Sequence, residues 1–324
     1  MNRRNFLASL AATTGVAASG VQAQPSFPTQ PIRWVVPYPA GGGTDLLART
    51  IAEAMRPALG QQLQVDNRPG AATNTGAQIV ASARPDGYSL LSADNAVLAF
   101  NEHLFSKLPF NPEKDFTYIG GISRFPLALV VHPSFEARTL KDFIAYAKAN
   151  PGKLSYTSPG NGSPHHLAME LFKQRTGTDI AHAPNQGAAL AMQDVAKGQV
   201  PCMFLDLPTG LSTMQSGKVR VLSVGTAKRV PQLPGAPTLA ESGVANAEVF
   251  AFQGLLGPAR LPPVVTGRLS LELNLALADP AVARRMTELG MEPLPGTPER
   301  FHALARAEAK RWGEIIRTTG LKLA

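Results

Sequence analysis

Cysteine is nearly absent from this sequence, which has a single one, Cys202, among 324 residues. One cysteine excludes an intrachain disulfide and a cysteine-based zinc site. Aromatic residues are also few, at 6%, but hydrophobic residues reach 44%, so the composition is globular and excludes disordered and fibrous chains. The 29 glycines and 28 prolines follow no fixed period, which excludes collagen and indicates many short elements joined by tight turns. The length favours two domains of ordinary size.

Long apolar runs are missing as well. No segment reaches the ~18 uninterrupted apolar residues that a membrane span requires. At the N-terminus, Arg3 and Arg4 precede an apolar stretch of small residues that ends in Val21-Gln22-Ala23, in the order of a secretory signal. Residues 1–23 are therefore predicted to be a signal peptide, and the mature chain is expected to be exported and soluble. The arginine pair also resembles a twin-arginine signal, so the Sec and twin-arginine routes both stay open.

Clusters of one charge are also missing. The 31 Lys and Arg residues outnumber the 23 Asp and Glu residues, for a net charge of +8, but the basic residues are scattered along the chain. No five of them are consecutive. Nucleic-acid binding is therefore not expected, while the mild positive charge favours small anions.

What the sequence does contain is a regular alternation of predicted strands and helices. Short apolar runs predict strands at 32–38, 88–92, 127–132, 153–158, 179–184, 199–206 and 219–226. Apolar spacing and capping residues predict helices at 45–59, 140–149, 164–176, 188–197, 211–216, 264–277, 281–289 and 298–318. Ser163 and Thr297 are expected N-caps, and Gly177 is an expected C-terminal stop. The alternation predicts an α/β fold with parallel sheets covered by helices on both faces.

The first candidate binding loop lies between the first strand and the first helix. In open α/β sheets, ligands bind beyond the carboxyl ends of strands and against helix N-termini. Gly41, Gly42 and Gly43 lie at such a position, where free N–H groups and the helix dipole favour an anion. Their spacing matches neither a P-loop nor a dinucleotide fingerprint. Asp45 is either a helix cap or a ligand contact, and we expect Gly42 to need the backbone freedom of glycine.

Three further polar segments follow predicted strands. The loop 158–163 (SPGNGS) combines flexible backbone, hydroxyls and an amide at a helix start, and its alternative interpretation is a tight turn with a cap. The loop 185–187 (NQG) places two neutral amides before a helix. Asp206 ends an apolar strand, either as a cap or as a polar contact.

Arrangements that carry catalysis are not visible. The segment 160–164 (GNGSP) is out of register with the Gly-x-Ser-x-Gly motif. Cys202 lies in an apolar strand and is predicted to be a buried, inert thiol. His165 and His166 are adjacent, so on a helix they point roughly 100° apart and do not suit a shared metal. We therefore expect no enzyme activity, no metal site and no cofactor.

The sequence closely resembles the tripartite tricarboxylate transporter substrate-binding proteins, also called the Bug family of periplasmic solute receptors. The resemblance runs along almost the whole mature chain, and its weight lies in the number and order of short motifs. These motifs are 32–45 (IRWVVPYPAGGGTD), 66–70 (DNRPG), 85–88 (PDGY), 114–116 (KDF), 148–159 (KANPGKLSYTSP), 160–167 (GNGSPHHL), 217–220 (GKVR), 237–238 (PT), 241–243 (ESG) and 257–259 (GPA).

The resemblance implies a type II periplasmic-binding-protein fold, with two α/β lobes joined by a hinge and a ligand cleft between them. Residues 24–124 and about 228–290 would form lobe 1, and residues 125–227 and about 291–324 would form lobe 2. In the family, a small carboxylate is held without a dedicated arginine, by backbone amides, hydroxyls and ordered water. This agrees with the anion-favouring glycine loop inferred from the residues alone.

Ligand contacts are implied by position within the family motifs. From lobe 1 they are Tyr38, Gly41, Gly42, Gly43, Thr44, Asp45 and Asn95. From lobe 2 they are Ser158, Gly160, Asn161, Gly162, Ser163, Asn185, Gln186, Gly187 and Asp206. Two departures leave the identity of the solute open, because 185–187 stands where the family usually has Tyr-Lys-Gly and Phe252 stands where a Trp is common.

The resemblance thus implies a periplasmic receptor that captures a small organic acid and delivers it to integral membrane transporter subunits. The alternatives are an accessory that presents its ligand to a membrane sensor kinase, and an exported enzyme on the same fold. No nucleic-acid partner is expected.

Overall fold

The computed structural model of the protein describes residues 27–323. The predicted signal peptide, residues 1–23, lies outside the described residues. Strands and helices alternate along the described chain, as predicted from the sequence. None of the helices in this range is both long and apolar enough to cross a membrane.

The strands are β1 (Ile32–Val36), β2 (Leu63–Asn67), β3 (Ser89–Asp94), β4 (Phe116–Val131), β5 (Leu154–Ser158), β6 (Ile180–Pro184), β7 (Cys202–Asp206), β8 (Arg220–Val224), β9 (Phe250–Pro258) and β10 (Glu292–Pro293). The helices are α1 (Gly43–Leu59), α2 (Asn74–Ala81), α3 (Asn101–Leu104), α4 (Leu140–Ala149), α5 (Pro164–Thr176), α6 (Ala188–Ala196), α7 (Leu207–Gln215), α8 (Pro263–Ala278), α9 (Pro280–Glu288) and α10 (Pro298–Thr319). A 3₁₀ turn (Ala71–Thr73) precedes α2, and a π-helical turn (Ala96–Phe100) precedes α3.

The strands form two sheets that share the long strand β4. The first sheet has the order β2-β1-β3-β9-β4-β10, and the second has the order β6-β5-β7-β4-β8. The change of partners falls within β4, where Pro126 pairs with Phe250 of β9 and the next residue, Leu127, pairs with Asp206 of β7. A single strand therefore passes from one sheet into the other.

The prediction of parallel sheets holds for only part of this topology. Strands β1, β2 and β3 are parallel, as are β5, β6 and β7. Strand β4 is antiparallel to β7, β8, β9 and β10, and β9 is also antiparallel to β3. The strand–helix alternation could not indicate this, because β4 and β9 are the strands that connect the two sheets and neither belongs to a simple β-α-β unit.

Local signals placed most helix ends correctly. Ser163 Oγ accepts from the N–H of His166, and α5 ends at Gly177 in the left-handed conformation (φ 64°), as expected. Thr297 likewise caps α10. The predicted loop 208–210 is instead the first turn of α7, because the carboxylate of Asp206 accepts from the N–H of Thr209 and caps the helix earlier than expected.

The helix α10 packs against the cores of both sheets. Near its N-terminus, Phe301 lies edge-on to Phe252 of β9, with ring centroids 6.2 Å apart. About three turns further on, Trp312 contacts Phe100, with ring centroids 4.9 Å apart, in the core that also contains Phe204 of β7. Each of these buried aromatic side chains contributes on the order of 2–3 kcal/mol of hydrophobic stabilisation. The helix therefore holds the two sheets next to each other at one side.

Candidate functional site

A cavity lies where the carboxyl ends of strands from both sheets meet helix N-termini. Its volume is about 220 Å³, somewhat below the usual range for small-molecule sites. Seven of the expected ligand contacts line it: Tyr38, Gly42, Gly43, Thr44, Gln186, Gly187 and Asp206. Residues beyond that expectation also line it: Pro39, Ala40, Asp94, Phe125, Pro159, Pro164, His165, Ala188, Ala189, Leu190 and Ala251. The other expected contacts do not line it: Gly41, Asp45, Asn95, Ser158, Gly160, Asn161, Gly162, Ser163 and Asn185.

The turn between β1 and α1 brings unpaired backbone N–H groups to the cavity. Gly42 is the N-cap of α1, and no side chain of the described chain caps this helix end. The N–H of Gly41 donates to Asp45 Oδ2 (3.0 Å), and the N–H of Gly43 donates to Thr209 Oγ1 (2.9 Å). The N–H groups of Gly42 and Thr44 have no acceptor among residues 27–323. Two free donors at a helix N-terminus favour an anion there.

Asp45 supports this turn from behind. Its carboxylate accepts from the N–H of Gly41, from Asn67 Nδ2 (3.1 Å) and from Arg49, whose Nη2 lies 3.0 Å from Oδ1. Burial alone would raise the pKa of Asp45, but the hydrogen bonds from Arg49, Gly41 and Asn67 lower it below its usual value. The side chain therefore stays ionised and holds the glycine turn in place.

The glycine that the structure requires in this turn is Gly43. Gly42 has φ −84°, an ordinary value for any residue, and an added Cβ there would have no atom within 4 Å. The expectation that Gly42 needs the backbone freedom of glycine is therefore wrong. An added Cβ on Gly43 would lie 2.8 Å from Asp206 Oδ1 and 3.2 Å from Pro208 Cβ. Close approach of β7 and α7, and not a special φ angle, makes glycine necessary at position 43.

Asp206, at the end of β7, lies between two helix N-termini. Its Oδ1 accepts from the N–H of Thr209 at the start of α7 (2.8 Å) and faces the start of α1 at Gly43. Its Oδ2 lies 2.9 Å from Nε2 of His165, a buried histidine that also lines the cavity. Burial would raise the pKa of Asp206, but the hydrogen bonds and charge supplied by His165 and Thr209 lower it. A negative charge is thus stabilised inside the cavity wall.

The loop 158–163 contributes backbone and ring surfaces instead of free polar side chains. Ser158 Oγ is hydrogen-bonded to Nε2 of His182 (2.7 Å), and Ser163 Oγ caps α5. The N–H of Gly162 donates to Nδ1 of His166 (3.0 Å). Gly160 and Gly162 adopt positive φ angles, and Asn161 is exposed. The cavity wall next to this loop consists of Pro159, Pro164 and His165.

The side-chain amides of two expected ligand contacts, Asn185 and Asn95, are hydrogen-bonded within the protein. Asn185 donates through Nδ2 to Asp194, and its Oδ1 accepts from the N–H of Gln186 (2.7 Å). Asn95 is fully buried, its Oδ1 accepts from the N–H of Phe252 (2.8 Å), and its Nδ2 donates to the backbone oxygen of Phe250 (3.3 Å). These bonds hold the α6 entry and the β3–β9 pairing, respectively.

The residue before Asn95 is the one that lines the cavity. Asp94 ends β3, and its Oδ2 accepts the O–H of Tyr38 at 2.7 Å. Its Oδ1 accepts the N–H of Ala96 at 3.1 Å. Burial raises the pKa of Asp94, and burial together with the charge of Asp94 raises the pKa of Tyr38. The only sequence signal for Asp94 was its place at a strand end, one residue from the polar residue that was expected there.

The two sides of the cavity are in direct contact at its edges. Besides the hydrogen bond from Gly43 to Thr209, an added Cβ on Gly187 would lie 3.3 Å from Pro39. An added Cβ on Gly162 would lie 3.4 Å from Ala72 Cβ. Glycines thus allow the loops of the second sheet to approach those of the first, and the cavity is in a closed arrangement.

Similar proteins have the same architecture. The family model described as the tripartite tricarboxylate transporter family receptor (TctC) matches residues 47–321. Protein BugT of Bordetella pertussis (strain Tohama I) is 33% identical over 327 residues, which cover 100% of each chain. Rpa4515 of R. palustris, solved with adipate, matches with a TM-score of 0.88 at 34% identity, over 91% of this chain and 98% of that one. MatC (Rpa3494) of Rhodopseudomonas palustris, solved with bound malate, matches with a TM-score of 0.86 at 29% identity, over 90% of this chain and 100% of that one. The predicted fold, with two α/β lobes, is confirmed.

Proposed function

The chain belongs to the tripartite tricarboxylate transporter receptor (Bug) family of periplasmic solute-binding proteins, which are receptors and not enzymes, and from that premise we propose that its cavity captures a small carboxylate-containing solute. The observation that carries the proposal is the pair of unpaired N–H groups of Gly42 and Thr44 in the cavity wall. Relatives solved with adipate and malate, which are both carboxylates, support the same chemistry.

Backbone donors suit this task because no Lys or Arg of the described residues competes for the role. Among the described residues, no Lys or Arg lines the cavity. The carboxylate of the solute would accept from Gly42 and Thr44 at the positive end of the α1 dipole. The apolar part of the solute would contact Phe125, Leu190 and the alanines of the α6 entry.

The solute would be retained by closure of the two lobes. In this proposal the lobes divide inside β4, where its pairing changes from β9 to β7 between Pro126 and Leu127. In this proposal the chain returns from lobe 2 to lobe 1 near residue 249 instead of near residue 228. The reason is that Val230 and Leu233 pack in one core with Leu205 of β7, and Val249 packs in one core with Phe204 of β7. The segment from about 291 contributes to both lobes through α10. A ligand that binds both sides of the cavity favours the closed form over an open one.

Export and delivery complete the proposal. Residues 1–23 act as the signal peptide, by the Sec or the twin-arginine route, and the mature protein works in the periplasm. Transporter subunits in the inner membrane recognise the closed, loaded form and receive the solute. Capture of membrane proteins by the loaded receptor would test this step, and capture of a sensor kinase in place of transporter subunits would contradict it.

The binding proposal is tested by a thermal-shift screen against mono-, di- and tricarboxylates and aromatic acids. A ligand at 100 times its Kd raises the free energy of unfolding by about 2.7 kcal/mol through linkage, and therefore raises Tm. Gly42→Val should fold normally, because its φ angle and surroundings accept a side chain, but should abolish binding by covering the free N–H groups. Asn185→Ala is the matched control, because its side chain bonds to Asp194 and does not line the cavity. The proposal fails if no carboxylate raises Tm, or if Gly42→Val binds like the wild type.

A further inference from the structure

One buried carboxylate differs from all others in the described chain. The buried acidic residues are Asp45, Asp94, Asp206, Glu272 and Glu308. Four of them have a basic partner within ion-pair distance. The pairs are Asp45 with Arg49, Asp206 with His165, Glu272 with Arg268, and Glu308 with Arg311. Asp94, at 4% exposure, has none among residues 27–323. A buried carboxylate without a cation is costly unless something else supplies the partner.

The contacts of Asp94 inside the protein come from neutral donors. Tyr38 donates its O–H to Oδ2, Ala96 donates its N–H to Oδ1, and the backbone N–H groups of Val97 and of Asp94 itself also interact with the carboxylate. All of these donors are uncharged, so none of them supplies the positive charge that a buried carboxylate needs. The raised pKa of Asp94, which burial causes, agrees with the missing cation.

The cavity is the place from which a partner can reach Asp94, because Asp94 lines it. The imidazole of His165, the basic side chain in the cavity wall, is already bonded to Asp206. No other basic side chain of the described residues lines the cavity. The missing partner of Asp94 is therefore not supplied by residues 27–323.

We propose that the solute supplies it: besides its carboxylate, the solute carries an ammonium or other N–H-donating nitrogen that bonds to Asp94. This inference rests on the proposed function, because it assigns the second polar end of the same ligand. The carboxylate lies at Gly42 and Thr44, the nitrogen lies at Asp94, and the carbon skeleton contacts Phe125 and Leu190. The solute class is then an amino acid or a similar zwitterion.

A protonated Asp94 would favour a different class of ligand. If Asp94 is protonated when the solute is bound, its O–H donates to a second carboxylate, and acids without nitrogen bind best. Matched pairs of ligands that differ only in the amino group separate the two arrangements. Suitable pairs are L-glutamate and glutarate, L-phenylalanine and 3-phenylpropionate, and L-leucine and 4-methylpentanoate.

Calorimetry on these pairs is the test. In at least one pair the amino member should bind about tenfold tighter or more, as a charge-assisted hydrogen bond predicts. Asp94→Asn should remove this preference, so that the two members of the pair bind with about equal affinity. Asp179→Asn, which makes the same change of charge at an exposed position, should keep the preference.

Each result decides between the two proposals. If carboxylates bind but no amino member binds tighter than its partner, the assignment of nitrogen to Asp94 is overturned and the receptor proposal stands. The same conclusion follows if a folded Asp94→Asn keeps the preference. If neither these pairs nor the carboxylates of the screen bind, both proposals are overturned. Should Asp94→Asn not fold, the comparison of matched pairs on the wild type still decides.

Discussion

Acid should destabilise this protein through His166, which lies beneath the loop 158–163. The ring is 3% exposed, and its Nδ1 accepts the N–H of Gly162 at 3.0 Å, so the imidazole is neutral. It stacks on the ring of His182, with centroids 4.1 Å apart. Burial, with a smaller effect of the charge of Lys173, lowers the pKa of His166 to about 4.

The sign and size of the effect follow from linkage. The unfolded chain, with a histidine pKa near 6.5, binds a proton in a pH range where the folded protein does not. The contribution of His166 is therefore complete above about pH 6.5 and is lost progressively as the pH falls toward 4. Between pH 7 and pH 5 the free energy of unfolding should fall by about 2 kcal/mol from this residue alone. His182, whose pKa is also lowered, to about 3, is more exposed and adds less.

Urea unfolding at pH 7 and pH 5, followed by circular dichroism, measures this loss. The matched variant is His166→Asn, because an amide oxygen can accept from Gly162 N–H and does not titrate. The variant should lose about 2 kcal/mol less than the wild type between the two pH values, while contributions from groups far from position 166 cancel in the comparison. An equal loss in both proteins would refute the reasoning, since His166 would then not be the group that takes up the proton.

Further predictions concern the single thiol and the seam, which is the contact of Gly43 with Asp206 and Thr209 between the two lobes. Gly43→Ala should prevent the closed arrangement, because its Cβ would lie 2.8 Å from Asp206 Oδ1. Small-angle scattering should therefore show a larger radius of gyration for this variant, and an unchanged one for the exposed control Gly267→Ala. Thr209→Val should weaken ligand binding about fivefold by calorimetry, because it removes one hydrogen bond across the seam, worth about 1 kcal/mol; unchanged affinity would show that this bond does not stabilise the closed form. Cys202, which is 0% exposed and whose pKa burial raises, should react with a thiol reagent only after denaturation.

Local signals in the sequence determined where many elements begin and end. Ser163, Thr297 and Gly177 mark helix ends because capping depends on the residue itself and on neighbours three or four positions away. The same signals located the glycine turn before α1 and the polar loops after β5 and β6. Strand β9 was not predicted, because its sequence FAFQGLLGP has no clear hydrophobic period and its pairing is set by β3 and β4.

The tertiary structure decided which polar groups remain available to a ligand. Asn95 and Asn185 carry the right chemistry, but their amides are bonded within the protein, to a backbone 157 residues away in the first case. Asp94 lines the cavity without a cation, which no local pattern indicates.

The closed seam likewise depends on contacts between distant parts of the chain. The N–H of Gly43 finds its acceptor on Thr209, 166 residues away. A residue's type and spacing follow from the sequence, and they determined the fold class and the loops that surround the cavity. Whether a hydrogen-bond donor in those loops is free or already paired depends on the groups that folding brings within 3 Å or so of it, and only the tertiary structure specifies them.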